Sequence, residues 1–312
     1  MTLANRTGFT PSSFILIGIP GLEDFHPVFA APLCGVYIVT VLGNSTLLLA
    51  IKTGRSLQQP MYFLIALLCC SDLVLSSSIL PKMLALFWFK AEQIPFNACL
   101  VQMFLIHTFA SVESGILSAM AFDRYVAVCN PLRYPSIVAN SLIGKLALAI
   151  LIRAGSLTTA LPLITHRLPF CTRYIAHSFC EHIAVAKLSC ADVTVNNLYG
   201  LAASLSIAAM DFPCIGVSYT QIIRSVLRLP KGDRRKAFST CVAHVSVMSI
   251  FYVPIVFSLA LHRLHNSIPL SVHIIVVTCY LLIPPVANPL IYGAKMKEIR
   301  KAVLQMLPLG KT

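Results

Sequence analysis

The sequence predicts an all-α membrane protein: a seven-transmembrane helix bundle, N-terminus outside and C-terminus inside, with a short amphipathic helix after span 7. Three observations carry that expectation. Of 312 residues, 57% are hydrophobic and only 11% are charged, with a mean hydropathy of +0.81. That is too little charge to cover a water-soluble domain of this size. Seven apolar runs, at 28–51, 60–88, 97–122, 141–163, 196–226, 237–261 and 271–293, can each cross about 30 Å of hydrocarbon at about 1.5 Å per residue. Finally, 16 of the 24 Lys and Arg, among them Arg55, Arg133, Arg228, Arg235, Lys297 and Arg300, fall on one side, which that excess makes cytoplasmic. The same distribution accounts for the net charge of +13 without a basic face for nucleic acid.

The chain reads as one domain over 1–312, with an extracellular N-terminus (1–27), the helix bundle (28–293) and a cytoplasmic tail (294–312). The first 25 residues are mixed and polar and have no basic n-region or cleavage site, so span 1 is expected to serve as its own uncleaved signal. Asn5-Arg6-Thr7 is a glycosylation acceptor on the side that this topology exposes, whereas Asn44-Ser45-Thr46 lies within an apolar run, out of reach. Pro162, Pro213, Pro254, Pro284 and Pro289 fall in or near span ends, where a buried helix tolerates a kink. Cys99 opens span 3, and Cys171, Cys180 and Cys190 lie in the loop between spans 4 and 5. Four cysteines on the oxidising face allow three pairings, and the other seven of the 11 lie in or beside spans as small apolar residues. After span 7, Met296, Ile299, Val303 and Met306 recur at helical spacing among basic residues, as in a helix lying on the membrane surface.

Charges inside the spans need partners, because each costs at least about 2.5 kcal/mol at the bilayer centre. Arg153 in span 4 and Asp211 in span 5 are two such residues, and spacing alone does not pair them. Asp72 and Glu113 lie at similar depth, Glu113 about 16 Å above Arg124. Two carboxylates there cannot both stay charged uncompensated: either one is protonated and bonded to the other, or a sodium ion joins them with Asn288 and Ser71 or Ser118. Asp123-Arg124-Tyr125 ends span 3 at the cytoplasmic membrane edge, where Arg is also favourable simply as a helix C-terminal cation.

A resemblance rests on motifs in order along nearly the whole chain. They are Gly43-Asn44, Pro60-Met-Tyr-Phe63, Ser71-Asp-Leu73, Met120-Ala-Phe-Asp-Arg-Tyr-Val-Ala-Val-Cys129, Ser218-Tyr219, Lys236-Ala-Phe-Ser-Thr-Cys-Val-Ala-His244 and Pro285-Val-Ala-Asn-Pro-Leu-Ile-Tyr292. Together they resemble an olfactory receptor of the rhodopsin-like G-protein-coupled class. Gly18-Ile-Pro-Gly-Leu-Glu23, the long second outer loop and Phe257-Ser-Leu-Ala-Leu-His-Arg263 resemble its class I, or fish-like, branch. The resemblance implies a plasma-membrane receptor of olfactory neuron cilia acting through the olfactory stimulatory G protein and cAMP. It implies the disulfides Cys99–Cys180 and Cys171–Cys190. It also favours sodium at Asp72, Glu113 and Asn288, and assigns activation and G-protein coupling to Asp123, Arg124, Tyr125, Tyr219, His244 and Tyr292. At rest Arg124 is expected to be held by Asp123 and by span 6, with His244 as the candidate.

The ligand site has a physical argument of its own. His107 lies 17 helical steps, about 25 Å, before Arg124, and Arg263 lies about 40 Å along span 6 from Lys236, so both sit near the outer mouth. A guanidinium above an apolar bundle suits a carboxylate, which is ionised at neutral pH with a pKa of about 4.3. Ala110 and Ser111 in span 3, Gly200, Ala203 and Ser204 in span 5, and Ile255 and Leu259 in span 6 are the expected walls. A lone Arg at a span end more often reaches lipid headgroups or pairs with a loop acid. The class I resemblance makes Arg263 the binding residue for a volatile carboxylic (fatty) acid, with His107 in the same pocket. The basic third inner loop, from Arg224 to Lys236, serves topology and anionic lipid and leaves room for a G-protein contact.

No phosphate loop, metal-ligand spacing or activated nucleophile is present, so an enzyme is not expected; His166, His177 and His182 are assigned to the outer loop, where they could bind a metal but imidazoles are usually solvated. A seven-helix anion transporter is the rival reading, but it calls for two related halves, which seven unequal spans do not provide. A metabolite-sensing receptor outside the nose is the other.

Overall fold

A computed structural model describes residues 8–228, 230–263 and 269–306, without the side chains of 231, 233, 235–240 and 258–263. Asn5 therefore lies outside the described residues, and Leu259 and Arg263 are described as helix backbone alone.

Seven long helices follow the seven apolar runs. They are α1 (His26–Thr53), α2 (Pro60–Phe89), α3 (Phe96–Cys129), then after a short α4 (Tyr134–Ile137), α5 (Asn140–His166), and after a short α6 (His182–Ala186), α7 (Thr194–Leu227), α8 (Lys231–Arg263) and α9 (Leu270–Lys295). Pro60 starts α2 at the position where a missing N–H is harmless, and Lys90 ends it in a left-handed conformation (φ 52°). Two boundaries depart from the hydropathy reading for the same reason. α3 continues seven residues beyond 122 because Asp123 and Arg124 satisfy each other on the helix, and α8 begins six residues before 237, in the basic segment. Hydropathy locates the membrane, not the end of a helix that runs on past it. Six of these helices are apolar enough to span a bilayer, and α8 is apolar over Cys241–Phe257.

α3 runs through the middle of the bundle, against α2, α5, α7 and α8. One apolar cluster fills the outer half, with Leu80, Met103, Ile106, Phe179 and Leu281, and a second fills the inner half, with Leu68, Ile116, Met120, Val247 and Tyr292. α1 and α9 approach closely where Gly43 faces Pro289 at 3.0 Å from an ideal Cβ position, and the adjacent Asn44 donates to Thr40 O and Pro285 O, both at 2.9 Å. After α9, α10 (Lys297–Met306) buries Ile299 and Ala302 against α1 and α9.

The N-terminal segment is more than a polar tail. Ser13–Leu16 forms β1, which pairs antiparallel with β2 (Gln93–Pro95) and parallel with β3 (Tyr174–Ile175) in the order β2-β1-β3. Phe14 and Leu16 are fully buried under this sheet. The segment turns into α1 at Gly18 (φ +88°), which lies flush against the His26 ring and leaves no room for a Cβ. His26 Nε2 accepts the Ile19 N–H at 3.1 Å, and its ring stacks on Phe87 at 4.3 Å. Both expected disulfides, Cys99–Cys180 and Cys171–Cys190, are present and pin the β3 loop across the bundle mouth.

Candidate functional site

Polar sites are stacked at three levels through the bundle. The outermost lies under the β-sheet cap. Cys180 is tied to α3 through Cys99, and Gln102 completes the anchor: its Oε1 accepts the Cys180 N–H (2.9 Å) while its Nε2 donates to Ser78 O (2.7 Å). This draws the next residues, Glu181 and His182, down between α3 and α7. His182 stands edge-on to His107 with ring centroids 6.3 Å apart, and its Nδ1 lies 3.3 Å from where a Gly200 Cβ would be. A side chain at Gly200 would push the imidazole inward. The reading of His177 and His182 as solvated loop residues is corrected here: they are 3% and 2% exposed, because the disulfide seats their loop inside the mouth.

Burial lowers both imidazoles, His177 and His182, to about 4, so each is neutral at pH 7. Burial alone would raise the Glu181 carboxyl, but His177, His107 and the backbone amides of Ile183 and Ala184 hold it below its usual range. Ala184 donates to Glu181 Oε2 at 2.6 Å. Of the expected walls, Ser111 and Ala203 are buried, Ala110, Gly200 and Ile255 are partly buried, and Ser204 is exposed with its hydroxyl donated back to Gly200 O at 2.9 Å. His107 Nε2 and Ser111 Oγ, one turn apart on α3, are buried without a hydrogen-bond partner among the described residues. The side chains of Leu259 and Arg263 lie outside the described residues.

Midway down are two charge sites. Arg153 and Asp211 pair with each other: Nη1 to Oδ1 at 2.6 Å and Nη2 to Oδ2 at 3.1 Å, a bidentate fork. Arg153 Nη2 also reaches Ser111 O at 3.3 Å. Ser114 Oγ donates to Asp211 Oδ2 at 2.6 Å, and its one proton thus committed, it accepts from Tyr252 OH at 3.0 Å. One chain of bonds therefore ties α5, α7, α3 and α8. Gly115 makes room for it, since a Cβ there would lie 2.8 Å from Arg153 Nη2 and from Ile150. Sequence reasoning left this pair open and passed over Ser114 and Tyr252. Depth was the usable signal: Arg153 lies 13 residues, about 20 Å, from the inner end of α5, and Asp211 lies 16 residues, about 24 Å, from that of α7.

The second site joins Asp72 to Asn288, whose Nδ2 donates to Oδ1 (3.2 Å) and Oδ2 (3.0 Å). Glu113 is buried close enough to Asp72 for the two carboxyls to interact. Ser71 Oγ turns away to Phe109 O at 3.2 Å, and Ser118 is buried nearby on α3. No Lys or Arg pairs with either carboxyl among the described residues. Glu113 Oε1 and Asn288 Oδ1 are buried without partners, an oxygen donor set of the kind a hard cation takes. No cluster of three or more His, Cys, Asp and Glu gathers for a metal among the described residues.

At the inner end, Arg124 bonds Asp123 Oδ2 through Nε (2.9 Å) and Nη2 (2.5 Å), and Tyr134 OH donates to Asp123 Oδ1 at 2.7 Å. Burial, then the Asp123 bond, raises the Tyr134 hydroxyl. His244 is not the group that holds Arg124. Its Nδ1 bonds Tyr219 OH at 2.7 Å, so Tyr219 joins α7 to α8. Tyr125 packs with Ile222, Val226 and Cys241, and Tyr292 OH donates to Met120 Sδ at 3.8 Å, joining α9 to α3. Leu132, in the turn between α3 and α4, is 96% exposed.

The olfactory receptor family model matches residues 33–309. The chain is similar to olfactory receptor 52J3 of Homo sapiens, 48% identical over 302 residues that cover 96% of this chain and 97% of that one. It is 47% identical to olfactory receptor 51E2 of Mus musculus over 304 residues, 97% of this chain and 95% of that one. Squid rhodopsin shares the fold at TM-score 0.75 and 16% identity, covering 94% of this chain and 87% of that one.

Proposed function

Because the chain belongs to the olfactory receptor family, G-protein-coupled receptors with a small-molecule odorant and a G protein as partners, we propose that its odorant is a small aliphatic carboxylic acid. The reading places the acid beneath the cap and routes its signal through the stimulatory olfactory G protein to cAMP in olfactory neuron cilia. The receptor is a multi-pass membrane protein and not an enzyme.

The observation that carries the ligand reading is the pair of buried, unpartnered groups on α3, His107 Nε2 beside the His182 ring and Ser111 Oγ one turn further in. A buried polar atom left unpaired costs about 1–3 kcal/mol, which a polar ligand recovers when it bonds there. Arg263, at the outer end of α8, supplies the carboxylate's counter-charge, and the alkyl tail lies toward Ala110, Ala203 and Ile255.

Occupancy alone does not signal; the acid must prefer one arrangement of α7 and α8. In the proposed active state the Tyr219–His244 contact opens, Arg124 leaves Asp123, and the inner face around Leu132 receives the G protein. The test compares cAMP responses of wild type and Arg263→Ala to an acid and to the alcohol of equal length. Loss of the acid response with the alcohol response unchanged is expected, and an unchanged acid response overturns the ligand reading. In the same cells Arg124→Ala keeps ligand binding and loses cAMP; full signalling from it overturns the coupling role.

A further inference from the structure

A cavity opens on the side of α3 opposite His107. Between α2 and α3 near the outer surface lies a groove of about 380 Å³, lined by Ser78, Lys82, Pro95, Ala98, Val101 and Leu105 with their neighbours. His107 follows Leu105 by two residues, about 200° around the helix, so the groove and the odorant pocket lie on opposite faces of α3. Val101 is 56% exposed here, on a flank that faces lipid in a seven-helix bundle.

The groove is polar at one end and apolar along the rest. Lys82 Nζ donates to Ala91 O and Gln93 O at 2.6 and 2.5 Å. An ammonium has three N–H groups, so one remains, and no carboxylate pairs with it among the described residues. Depth is set by Trp88 and Phe89, 45% and 78% exposed at the end of α2, at the level where aromatic side chains meet headgroups. Lys82 starts six residues, about 9 Å, deeper and its stem rises to the loop carbonyls, which puts the charge at headgroup level. Below it, Ala98, Val101 and Leu105 form an apolar wall.

We propose that this groove holds one phospholipid of the outer leaflet, its phosphodiester on the remaining N–H of Lys82 and one acyl chain along Ala98, Val101 and Leu105. An uncompensated cation calls for an anion, and the phosphodiester is the anion that the bilayer supplies at that depth. A sterol hydroxyl carries no charge to answer it. The site touches the cap, because Gln102, which borders the groove, holds both Ser78 O and the Cys180 N–H.

The full-length receptor, purified in detergent, is titrated separately with phosphatidylcholine, diacylglycerol of the same chains and cholesterol, and lipid retention is read by native mass spectrometry. One phosphatidylcholine per receptor is expected to be retained, with diacylglycerol and cholesterol, which carry no anion for Lys82, held at least about tenfold more weakly, the fold-change of losing one hydrogen bond to a charged group. Lys82→Met should weaken phosphatidylcholine by a similar factor, and Lys90→Met should not. Should Lys82→Met disturb the loop it braces, Val101→Trp decides: it fills the groove with the ammonium intact and is expected to abolish retention. Wild-type retention by Val101→Trp, or diacylglycerol or cholesterol bound as tightly as phosphatidylcholine, overturns the proposal.

Discussion

Asp211 and Asp72 are both buried carboxylates at mid-bundle, 3% and 0% exposed, yet their surroundings differ in kind. Asp211 meets a guanidinium through two bonds and a serine through a third, so its charge is answered within the helices. Among the described residues Asp72 meets only the Asn288 amide and a second carboxyl, and two oxygens beside it are left over. The first site is complete and therefore fixed, a clamp joining four helices. The second is incomplete and needs a proton or a cation from outside, so its state can change. A membrane bundle can thus use one residue type as structure in one place and as a responsive element in another, the difference lying in what faces it.

The strongest way to break this contrast is to remove the counter-charge. Arg153→Met strands Asp211, and stranding one half of a buried pair costs about 3–5 kcal/mol. Thermal unfolding of the purified receptor should register that loss, and Arg153→Met with Asp211→Leu should recover most of it. Asp72→Asn removes a charge that has no fixed counter-charge and is expected to shift stability by about 1 kcal/mol or less. If Asp72→Asn destabilises as much as Arg153→Met, the two sites are not different in kind.

Next in size is the response to sodium. A cation that binds only the folded protein stabilises it by about 1.4 kcal/mol at ten times its Kd. Melting temperature should therefore climb as sodium replaces a bulky organic cation at constant ionic strength, and the climb should disappear in Glu113→Gln. An identical sodium response in wild type and Glu113→Gln means that the carboxyls share a proton instead. The same titration on Arg153→Met with Asp211→Leu should retain the full sodium response.

How much of this was legible from the sequence follows the physics of each feature. The seven spans were, because a lipid-facing helix must be apolar along its length, and Asp72 with Asn288 was, because carboxyls that deep are conspicuous. The ends of α3 and α8 were not, since a helix that leaves the membrane loses its hydropathy signal but not its hydrogen bonds. β1 was hidden in a stretch read as polar, although Phe14-Ile-Leu-Ile17 is an apolar run with two β-branched residues. Glu181 and His182 could not be seen as buried without knowing how far the Cys99–Cys180 bond draws their loop inward. Ser114 and Tyr252 escaped because a serine and a tyrosine in an apolar span are ordinary until their partners are known.

The smallest effect makes the finest distinction. Tyr252 OH donates to Ser114 Oγ, and Tyr252 is the only link between α8 and the Asp211 clamp among the described residues. Tyr252→Phe removes one neutral hydrogen bond and leaves no charge exposed, so about 1 kcal/mol of stability should go. Ser114→Ala should cost more, because it takes a donor from a carboxylate, and after it Tyr252→Phe should cost almost nothing further, the shortfall measuring their coupling. Asp72 has no bond to α8 among the described residues, so Tyr252→Phe should leave the sodium response as it was. A lost sodium response in Tyr252→Phe would show that the two sites act as one, and that what distinguishes Asp211 from Asp72 is not its neighbours.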